Sequence, residues 1–379
     1  MDRRVGALGL AVGLTMATTL PALAQDPSAS TGPWTVVAQG LDAPRGIGFG
    51  PDGTLYVGEQ GSGGSACTET ERGQACAGAT GGISSLKDGV LTRVIDGLPS
   101  VAGGQDVGGV SDFAIAADGT FVVTVNLGGS PDIRSTMPEG MRAVVGTIAS
   151  AAADGTLTPI ADLAQWEADN DPDSADPGSA VDSNPYGLTI TPDGDYLVTD
   201  AGGNDLLMVT PDGTISLAGL FPASFQPAPA DPSASADPGA SPAMVPMQAV
   251  PTAVVIGPDG AAYVSQLTGF PFPVGGASIW RVEAGKEPKV YATGLTNVMD
   301  LAFGPDGTLW VVEFAHNGLL SGDITGALLS IPAGGGAPTL VATEGLMAPG
   351  GVAVAADGTV YVANGSVMPG GGSVVSIKP

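Results

Sequence analysis

The stretch GIGFGPDGTLYVGEQ at residues 46–60 decides the fold, because it joins two alternating apolar strands through an Asp-Gly turn. Asp and Gly tolerate the positive φ of a tight turn, so this pattern predicts a β-hairpin. Five similar stretches follow along the chain: DFAIAADGTFVVTVN (112–126), GLTITPDGDYLVTDA (187–201), AVVIGPDGAAYVSQL (253–267), DLAFGPDGTLWVVEF (300–314) and GVAVAADGTVYVANG (351–365). Six hairpins at roughly even spacing predict an all-β protein, a six-bladed β-propeller.

Further strand patterns between the hairpins predict blades of four strands. Third strands are expected at 81–86, 146–150, 206–210, 278–282, 327–331 and 373–377. Fourth strands follow five of the hairpins, at 91–98, 156–163, 214–220, 289–295 and 339–346. The sixth fourth strand comes from the other end of the chain, where WTVVAQGL (34–41) has the same pattern. We expect strand 34–41 to join the C-terminal blade, closing the ring and protecting an otherwise open edge.

The connections between the predicted strands are unequal in length. The turns within hairpins, and those between third and fourth strands, are short and belong to one face of the propeller. The long connections project from the opposite face, which we call the loop-bearing face: 60–80, 127–143, 164–185, 221–251, 267–277 and 315–326. Loops gathered on one face of a rigid scaffold are where binding or catalysis is usually found. Two of them are biased in composition: 167–182 predicts a solvated acidic loop, and 222–251, rich in Pro, Ala and Ser, predicts a mobile one.

The N-terminal residues 1–24 have the pattern of a signal peptide. Arg3 and Arg4 precede an apolar run, and Ala22-Leu23-Ala24 forms a small-x-small cleavage site before Gln25. We therefore expect an exported protein, secreted or held in the periplasm or cell envelope, with a disordered segment at 25–33 and a single propeller domain at 34–379. No further run is long enough to span a membrane after signal cleavage.

The charge of the chain limits the classes of partner that it can bind. The formal net charge of −26 should repel nucleic acid and anionic lipid, so neither is expected as a partner. We expect a monomer whose ligand is a small molecule, a glycan or a protein. The two cysteines, Cys67 and Cys76, lie nine positions apart in one polar loop and predict a disulfide in an oxidising compartment.

The repeat GPDGTLWVVEF (304–314) resembles the NHL, SMP-30 and virginiamycin-B-lyase group of six-bladed propellers in the TolB-like superfamily. More narrowly, the chain resembles the exported ScyD/ScyE family in CTETERGQACAGATGGI (67–83), VDSNPYGLTITPDG (181–194) and VVEFAHNGLLSGDITGALLSI (311–331). The resemblance spans essentially the whole mature chain. It implies an exported propeller, and it implies no established reaction.

The chain departs from the better-known relatives at their functional positions. SMP-30-type lactonases hold a divalent cation with a Glu–Asn–Asp set, but the matching positions here are Tyr186 and Met299, which are not ligands. Virginiamycin lyase uses a catalytic histidine with a magnesium site, and the single histidine, His316, lies outside that motif; we expect it on a surface loop. The resemblance therefore predicts the fold more firmly than the chemistry.

Polar residues end the second strand of every hairpin, and they suggest a ring near the loop-bearing face. Carboxylates contribute Glu59, Asp200 and Glu313, and Asp112 and Asp300 begin inner strands at the channel mouth. Clustered carboxylates can bind Ca²⁺, with Asp200, Asp300 and Glu313 as candidate ligands, or act as general acid and base. The alternative is that they cap strand ends in a solvated channel.

Two further sets of residues have competing interpretations. Arg45, Asn184 and Tyr186 precede inner strands, where they could bind a ligand or simply set the entry of the chain into its blade. The run Asp169-Asn170-Asp171-Pro172-Asp173 hints at a calcium loop. It lacks the glycine turn and distal glutamate of an EF-hand, so we interpret it as a solvated acidic loop.

No nucleophile elbow, P-loop or zinc motif occurs in the sequence. The leading hypothesis is therefore a protein that binds a ligand or partner on the loop-bearing face, without chemistry of its own and without a cofactor. The alternative is a hydrolase or lyase of a small polar or carbohydrate-like substrate, acting through Glu59, Asp200, Asp300 and Glu313, with Ca²⁺ as a candidate cofactor. A second alternative is a structural, envelope-associated repeat protein. Propellers host all three classes.

Overall fold

The computed structural model describes residues 32–70, 73–104, 106–229 and 242–379. The predicted signal peptide, most of the predicted disordered segment 25–33 and the centre of the 222–251 loop lie outside the described residues. Within the described ranges, no helix is long and apolar enough to cross a membrane.

Strands dominate the structure, and they form blades of four antiparallel strands. The chain begins with β1 (Thr35–Leu41). Blade 1 contains β2 (Pro44–Phe49), β3 (Leu55–Glu59), β5 (Gly73–Lys87) and β6 (Val90–Gly103), with β4 (Ala66–Thr70) paired to β5. Blade 2 contains β7 (Asp106–Ile115), β8 (Phe121–Val125), β9 (Thr147–Ala151) and β10 (Leu157–Asp162). Blade 3 contains β11 (Pro185–Ile190), β12 (Tyr196–Asp200), β13 (Asp205–Val209) and β14 (Ile215–Leu220).

The second half of the chain repeats this arrangement. A hairpin of β15 (Ser224–Pro227) and β16 (Met244–Met247) leads to blade 4, which contains β17 (Pro251–Ile256), β18 (Ala262–Gln266), β19 (Ala277–Val282) and β20 (Lys289–Leu295). Blade 5 contains β21 (Val298–Phe303), β22 (Leu309–Glu313), β23 (Ala327–Ile331) and β24 (Thr339–Ala342). Blade 6 contains β25 (Gly351–Val354), β26 (Val360–Asn364) and β27 (Gly372–Ile377). The helices are short: 3-10 helices at Pro131–Thr136 and Leu319–Ser321, α1 (Glu139–Arg142) and α2 (Leu163–Asn170).

The N-terminal strand completes the last blade, as the sequence predicts. β1 pairs antiparallel with β27, with Thr35 opposite Ser376 and Leu41 opposite Gly372. The innermost strands contact each other in the order β2, β7, β11, β17, β21, β25 and back to β2. Most of the buried apolar side chains form clusters between neighbouring blades, including one between blades 6 and 1 that contains Leu41 and Ile47.

The prediction of a loop at 60–80 is wrong, because most of this segment forms strands. β4 pairs with the first half of β5, and the second half of β6 pairs with the start of β7, with Ser100 opposite Gly109. Blades 1 and 2 therefore share one nine-stranded sheet. Glycine permits this close packing, since a Cβ on Gly64 would stand 2.5 Å from the carbonyl oxygen of Ala77. The predicted disulfide is confirmed, and Cys67–Cys76 joins directly opposed residues of the β4–β5 hairpin.

Threonine hydroxyl groups join successive blades at their inner edge, two from second strands (β8 and β12) and one from the first strand of blade 4 (β17). The Thr199 hydroxyl accepts a hydrogen bond from the Gly187 amide at 2.8 Å and donates one to the Thr252 carbonyl at 2.6 Å. Thr124 makes the equivalent donation to the Tyr186 carbonyl at 2.7 Å. The Thr252 hydroxyl continues the series to the Val298 carbonyl at 2.8 Å.

We expect Thr199→Val to lower the free energy of unfolding by about 2 kcal/mol, because two buried backbone groups lose their partner while the side-chain volume is kept. Chemical denaturation measures this loss. The matched control is Thr158→Val on the exposed face of β10, which should change stability by less than about 0.5 kcal/mol. Equal effects of the two substitutions would contradict the inter-blade role of the Thr199 hydroxyl.

Candidate functional site

A narrow cavity lies on the propeller axis, where the inner strands begin. Its free volume is about 10 Å³, close to the space of one water molecule. The lining residues come from all six inner strands or their entries: Gly46, Ser111, Asp112, Tyr186, Gly187, Thr252, Ala253, Met299, Asp300 and Gly350. A larger ligand would have to contact the mouth of this cavity from the loop-bearing face.

Asp112 and Asp300 are the two carboxylates of this cavity. One oxygen of each accepts a hydrogen bond from the next residue in its own strand. The other accepts from the neighbouring blade, from the Leu188 amide at 2.9 Å for Asp112 and the Val352 amide at 2.7 Å for Asp300. Burial raises the pKa of Asp112 to about 7. Burial, with repulsion from Asp112, holds the pKa of Asp300 well above its usual value. The pair therefore retains a proton near neutral pH.

Arg45 and Tyr186 stand at the mouth of the cavity. The Arg45 guanidinium donates to the Tyr186 hydroxyl at 3.0 Å and lies 3.5 Å from the Asp106 carboxylate. Its Nε atom is buried and has no hydrogen-bond partner among the described residues. Burial raises the pKa of Tyr186, and Arg45 opposes that shift only in part. The phenol therefore stays protonated at neutral pH.

Asn184 is placed beside the mouth by a network of polar side chains. Its Oδ1 accepts from the Asn126 amide at 2.9 Å, and Asn126 also accepts a short hydrogen bond from the Ser111 hydroxyl at 2.5 Å. Gln60 donates to both Ser111 and Asn126. Sequence reasoning missed Asp106, Ser111 and Gln60. Only the position of Ser111, one residue before Asp112, could have indicated its place at the mouth.

The opposite side of the mouth is apolar. Tyr186, Met299 and Leu267 pack together there with Ala201, and Phe314 and Leu319 pack against them. Both oxygens of Asp112 and of Asp300 already accept hydrogen bonds from backbone amides, and the guanidinium, phenol and thioether near them are not the oxygen ligands that a divalent cation prefers. The mouth instead presents hydrogen-bond donors and an apolar surface, a combination suited to an uncharged or anionic polar ligand.

The other predicted carboxylates are buried, and they bind their own loops. Glu59 accepts from the Asp42 amide, the Ser84 hydroxyl and Arg93. Asp200 accepts from the Ser183 hydroxyl and from the amides of Asn184, Gly202 and Gly203. Glu313 accepts from the Thr296 amide and contacts His316.

The structure does not bring Asp200, Asp300 and Glu313 together as one set of ligands. Among the described residues, the three acidic side chains that lie close enough to share a metal ion are instead Glu167, Asp171 and Asp173. His316 lies in the loop after β22, as predicted, with a side-chain exposure of 33%, and its ring contacts Glu313.

The segment 167–182 differs from the solvated loop that its composition suggests. One carboxylate oxygen each from Glu167, Asp171 and Asp173 lie within 4.8 Å of one another. Burial and the neighbouring carboxylates raise the pKa of Glu167 to about 8 and that of Asp173 to about 6. The four-residue spacing of Glu167 and Asp171, which places both on one side of a helix end, was the available sequence signal.

No protein-family model matches the chain, and no curated protein is significantly similar to it in sequence. Solved structures do resemble it. A gluconolactonase from Xanthomonas campestris has 12% identity and a TM-score of 0.52, covering 91% of this chain and 89% of its own. The PQQ-bound aldose sugar dehydrogenase of Streptomyces coelicolor has 13% identity and a TM-score of 0.50, covering 92% and 97%.

A virginiamycin B lyase from Staphylococcus aureus has 18% identity and a TM-score of 0.47, covering 87% of this chain and 80% of its own. At these identities, the similarities show the fold alone.

Proposed function

We propose that this protein is an exported propeller of the ScyD/ScyE type that hydrolyses or eliminates a small polar, carbohydrate-like substrate at the axial mouth. The observation that carries the proposal is the meeting, at one opening, of a guanidinium with an unused donor and two buried carboxyl groups. The Cys67–Cys76 disulfide supports an oxidising, extracytoplasmic location. The gluconolactonase and aldose dehydrogenase among the structural neighbours act on sugars or their derivatives, which suggests the substrate class.

Each group at the mouth has a role in this proposal. The free Nε of Arg45 would donate to a carbonyl or carboxylate oxygen of the substrate. The protonated Tyr186 phenol is a second donor for charge that develops on that oxygen. The Asp112–Asp300 pair, which retains a proton near neutrality, could supply both a general base and a general acid.

For a lactone, the chemistry would run through water. The ionised member of the pair accepts a proton as the water oxygen bonds to the carbonyl carbon. The ring C–O bond then breaks, and the leaving oxygen takes a proton from the protonated member.

Binding without turnover is the second candidate. It is favoured by a specific observation. Backbone amides already donate hydrogen bonds to both oxygens of each carboxylate, and the cavity has room for about one water molecule. In that case Asp112 and Asp300 only join blades, and Arg45 with Tyr186 holds the ligand.

A hydrolysis screen of sugar lactones and esters tests the proposal. We expect Asp300→Asn to lower kcat by about 100-fold or more with little change in KM, because it removes one member of the acid–base pair. Arg45→Lys should mainly raise KM, because a point charge replaces the planar fork. Glu287→Gln, on an exposed turn outside the site, is the matched control and should leave both constants unchanged.

Two results would decide against the enzyme. Full activity in Asp300→Asn would exclude the acid–base role of the pair. Ligands that raise the Tm of the wild type without being consumed, and that fail to do so with Arg45→Lys, would favour binding without turnover.

A further inference from the structure

A second group of carboxylates lies away from the axial mouth, between α2 and blade 3. It consists of Glu167, Asp171, Asp173 and Asp205. Glu167, Asp173 and Asp205 are 1%, 2% and 0% exposed, and Asp171 is half-buried. Asp205 lies opposite Asp200 in the β12–β13 pair, and a Cβ on the intervening Gly203 would stand 3.7 Å from the Asp200 carboxyl carbon and 3.0 Å from Oε2 of Glu167. We call these four residues the carboxylate cluster.

The oxygens of the carboxylate cluster lack partners within the described residues. Both oxygens of Glu167, both oxygens of Asp205, Oδ1 of Asp171 and Oδ1 of Asp173 are buried without a hydrogen bond. No lysine, arginine or histidine of the described ranges forms an ion pair with any of the four. Burying carboxylates that are neither paired nor hydrogen-bonded is strongly unfavourable. The cluster therefore offers buried, negatively charged oxygens that a cation could neutralise.

The surrounding backbone holds these side chains rigidly. Asp171 caps the C-terminus of α2 in the left-handed conformation, with φ of 41°, and its amide donates to the Glu167 carbonyl at 2.7 Å. The other oxygen of Asp173 accepts from the buried Asn204 amide at 2.8 Å. Gly203 passes so close that a Cβ there would stand 3.0 Å from Oε2 of Glu167. These contacts fix the positions of Glu167, Asp171 and Asp173, which bring one oxygen each within 4.8 Å of the others.

We propose that the carboxylate cluster binds a Ca²⁺ ion that ties α2 and the following loop to blade 3. The four carboxylates offer six unpartnered oxygens, and those of Glu167, Asp171 and Asp173 include three that lie within 4.8 Å of one another, as shared ligands of one Ca²⁺ ion must. Mg²⁺ usually keeps several of its waters and uses one or two carboxylates, so a set of several carboxylates favours Ca²⁺. The absence of histidine and cysteine from the cluster disfavours zinc.

The ion would act on the axial mouth through the chain that leads to it. Asp200, at the end of β12, lies opposite Asp205 of β13. It accepts hydrogen bonds from the Ser183 hydroxyl and the Asn184 amide. Residues 183–186 run from this contact to Asn184 and Tyr186 at the mouth. The Ca²⁺ site thus stabilises the segment that positions those two residues. It does not depend on the reaction proposed for the mouth.

Titration of the EDTA-treated mature protein with Ca²⁺ tests the proposal by calorimetry and thermal unfolding. We expect one site per chain and a rise in Tm of about 5 °C or more at 100 times the dissociation constant. Glu167→Gln and Asp205→Asn should each abolish the Tm rise. Asp169→Asn, an exposed carboxylate of the same helix, is the matched control and should keep it.

Two further measurements guard against a variant that simply misfolds. In EDTA, Asp205→Asn should unfold at a Tm equal to or above that of the wild type, because an uncompensated buried charge is removed. Tb³⁺ bound at the cluster should emit on excitation of the adjacent Trp166, and Ca²⁺ should displace it. Trp166→Phe should remove this emission and leave Ca²⁺ affinity unchanged.

The proposal is overturned if the wild type shows no Ca²⁺-dependent heat or Tm shift. It is also overturned if both cluster variants keep the shift, or if Tb³⁺ emission persists in Trp166→Phe. None of these readouts uses enzymatic activity, so the cation site and the proposed reaction succeed or fail separately.

Discussion

A chain that begins at Asp42 should not fold into a cooperative, monodisperse protein, whereas one that begins at Gln25 should. The shorter chain lacks β1, whose pairing with β27 completes blade 6. Without it, β27 becomes a free edge able to pair with other chains and aggregate. Size-exclusion chromatography and thermal unfolding of the two purified proteins measure the difference. A truncated protein with the elution volume and Tm of the longer chain would contradict the structural role of β1.

The loss can be localised to single side chains. Trp34 is buried between blades 5 and 6, and its indole donates to the Glu344 carbonyl at 2.8 Å. Trp34→Ala should lower the free energy of unfolding by about 3–5 kcal/mol, the usual loss when a buried aromatic residue is truncated. Val36 lies two residues further on, in β1, with an exposed side chain. Val36→Ala is therefore the matched control, and it should cost less than about 1 kcal/mol.

Between pH 4.5 and 7.5, the wild type should lose stability more steeply than the double variant Asp112→Asn/Asp300→Asn. The folded state raises the pKa of Asp112 from 3.8 to about 7 and that of Asp300 well above 3.8. In this window the folded protein keeps protons that the unfolded chain releases, so raising the pH favours unfolding. Each retained proton costs about 1.4 kcal/mol per pH unit. The contribution is fully favourable below about pH 4 and is lost as the pH rises towards the folded pKa.

Denaturant titrations at several pH values, all in Ca²⁺-containing buffer, give these slopes. The other ionisable groups around the pair are Arg45, Tyr186 and Asp106, which both proteins share, so their contributions cancel in the comparison. Lost hydrogen bonds in the asparagine variant would shift its curve by an amount that does not depend on pH. Parallel curves for the two proteins would show that the pair holds no extra proton, and would weaken its proposed acid–base role.

Several features of the fold were predictable because they depend on local patterns. The Asp-Gly turns predicted every hairpin, and the pattern of 34–41 predicted its pairing with a strand more than 300 positions away. The spacing of Cys67 and Cys76 predicted their disulfide. In contrast, residues 60–80 have many glycines and few apolar side chains, so the strands β4 and the start of β5 left no alternation to detect. Their pairing depends on backbone approach and not on side-chain burial.

The site was predictable only in part, for a different reason. Counting along the repeat placed Arg45, Asp112, Tyr186 and Asp300 at the axis, because equivalent positions of each blade meet there. The same counting placed Glu59, Asp200 and Glu313 with them, but hydrogen bonds to backbone amides and neighbouring side chains draw these carboxylates into their own loops. The repeat specifies where the backbone of each residue lies, and the hydrogen bonds available around it determine where its side chain points.

The blade count, the strand that completes the last blade and the face that carries the long loops were predictable, because each follows from a pattern within some tens of residues. Which carboxylates face one another depends instead on how distant parts of the chain pack. Asp205 is separated from Glu167 by 38 positions and by two strands. Their repulsion arises from packing α2 against blade 3, and no local pattern encodes that distance. The six hairpins thus predict the scaffold, and the contacts between blades and loops create the axial mouth and the carboxylate cluster.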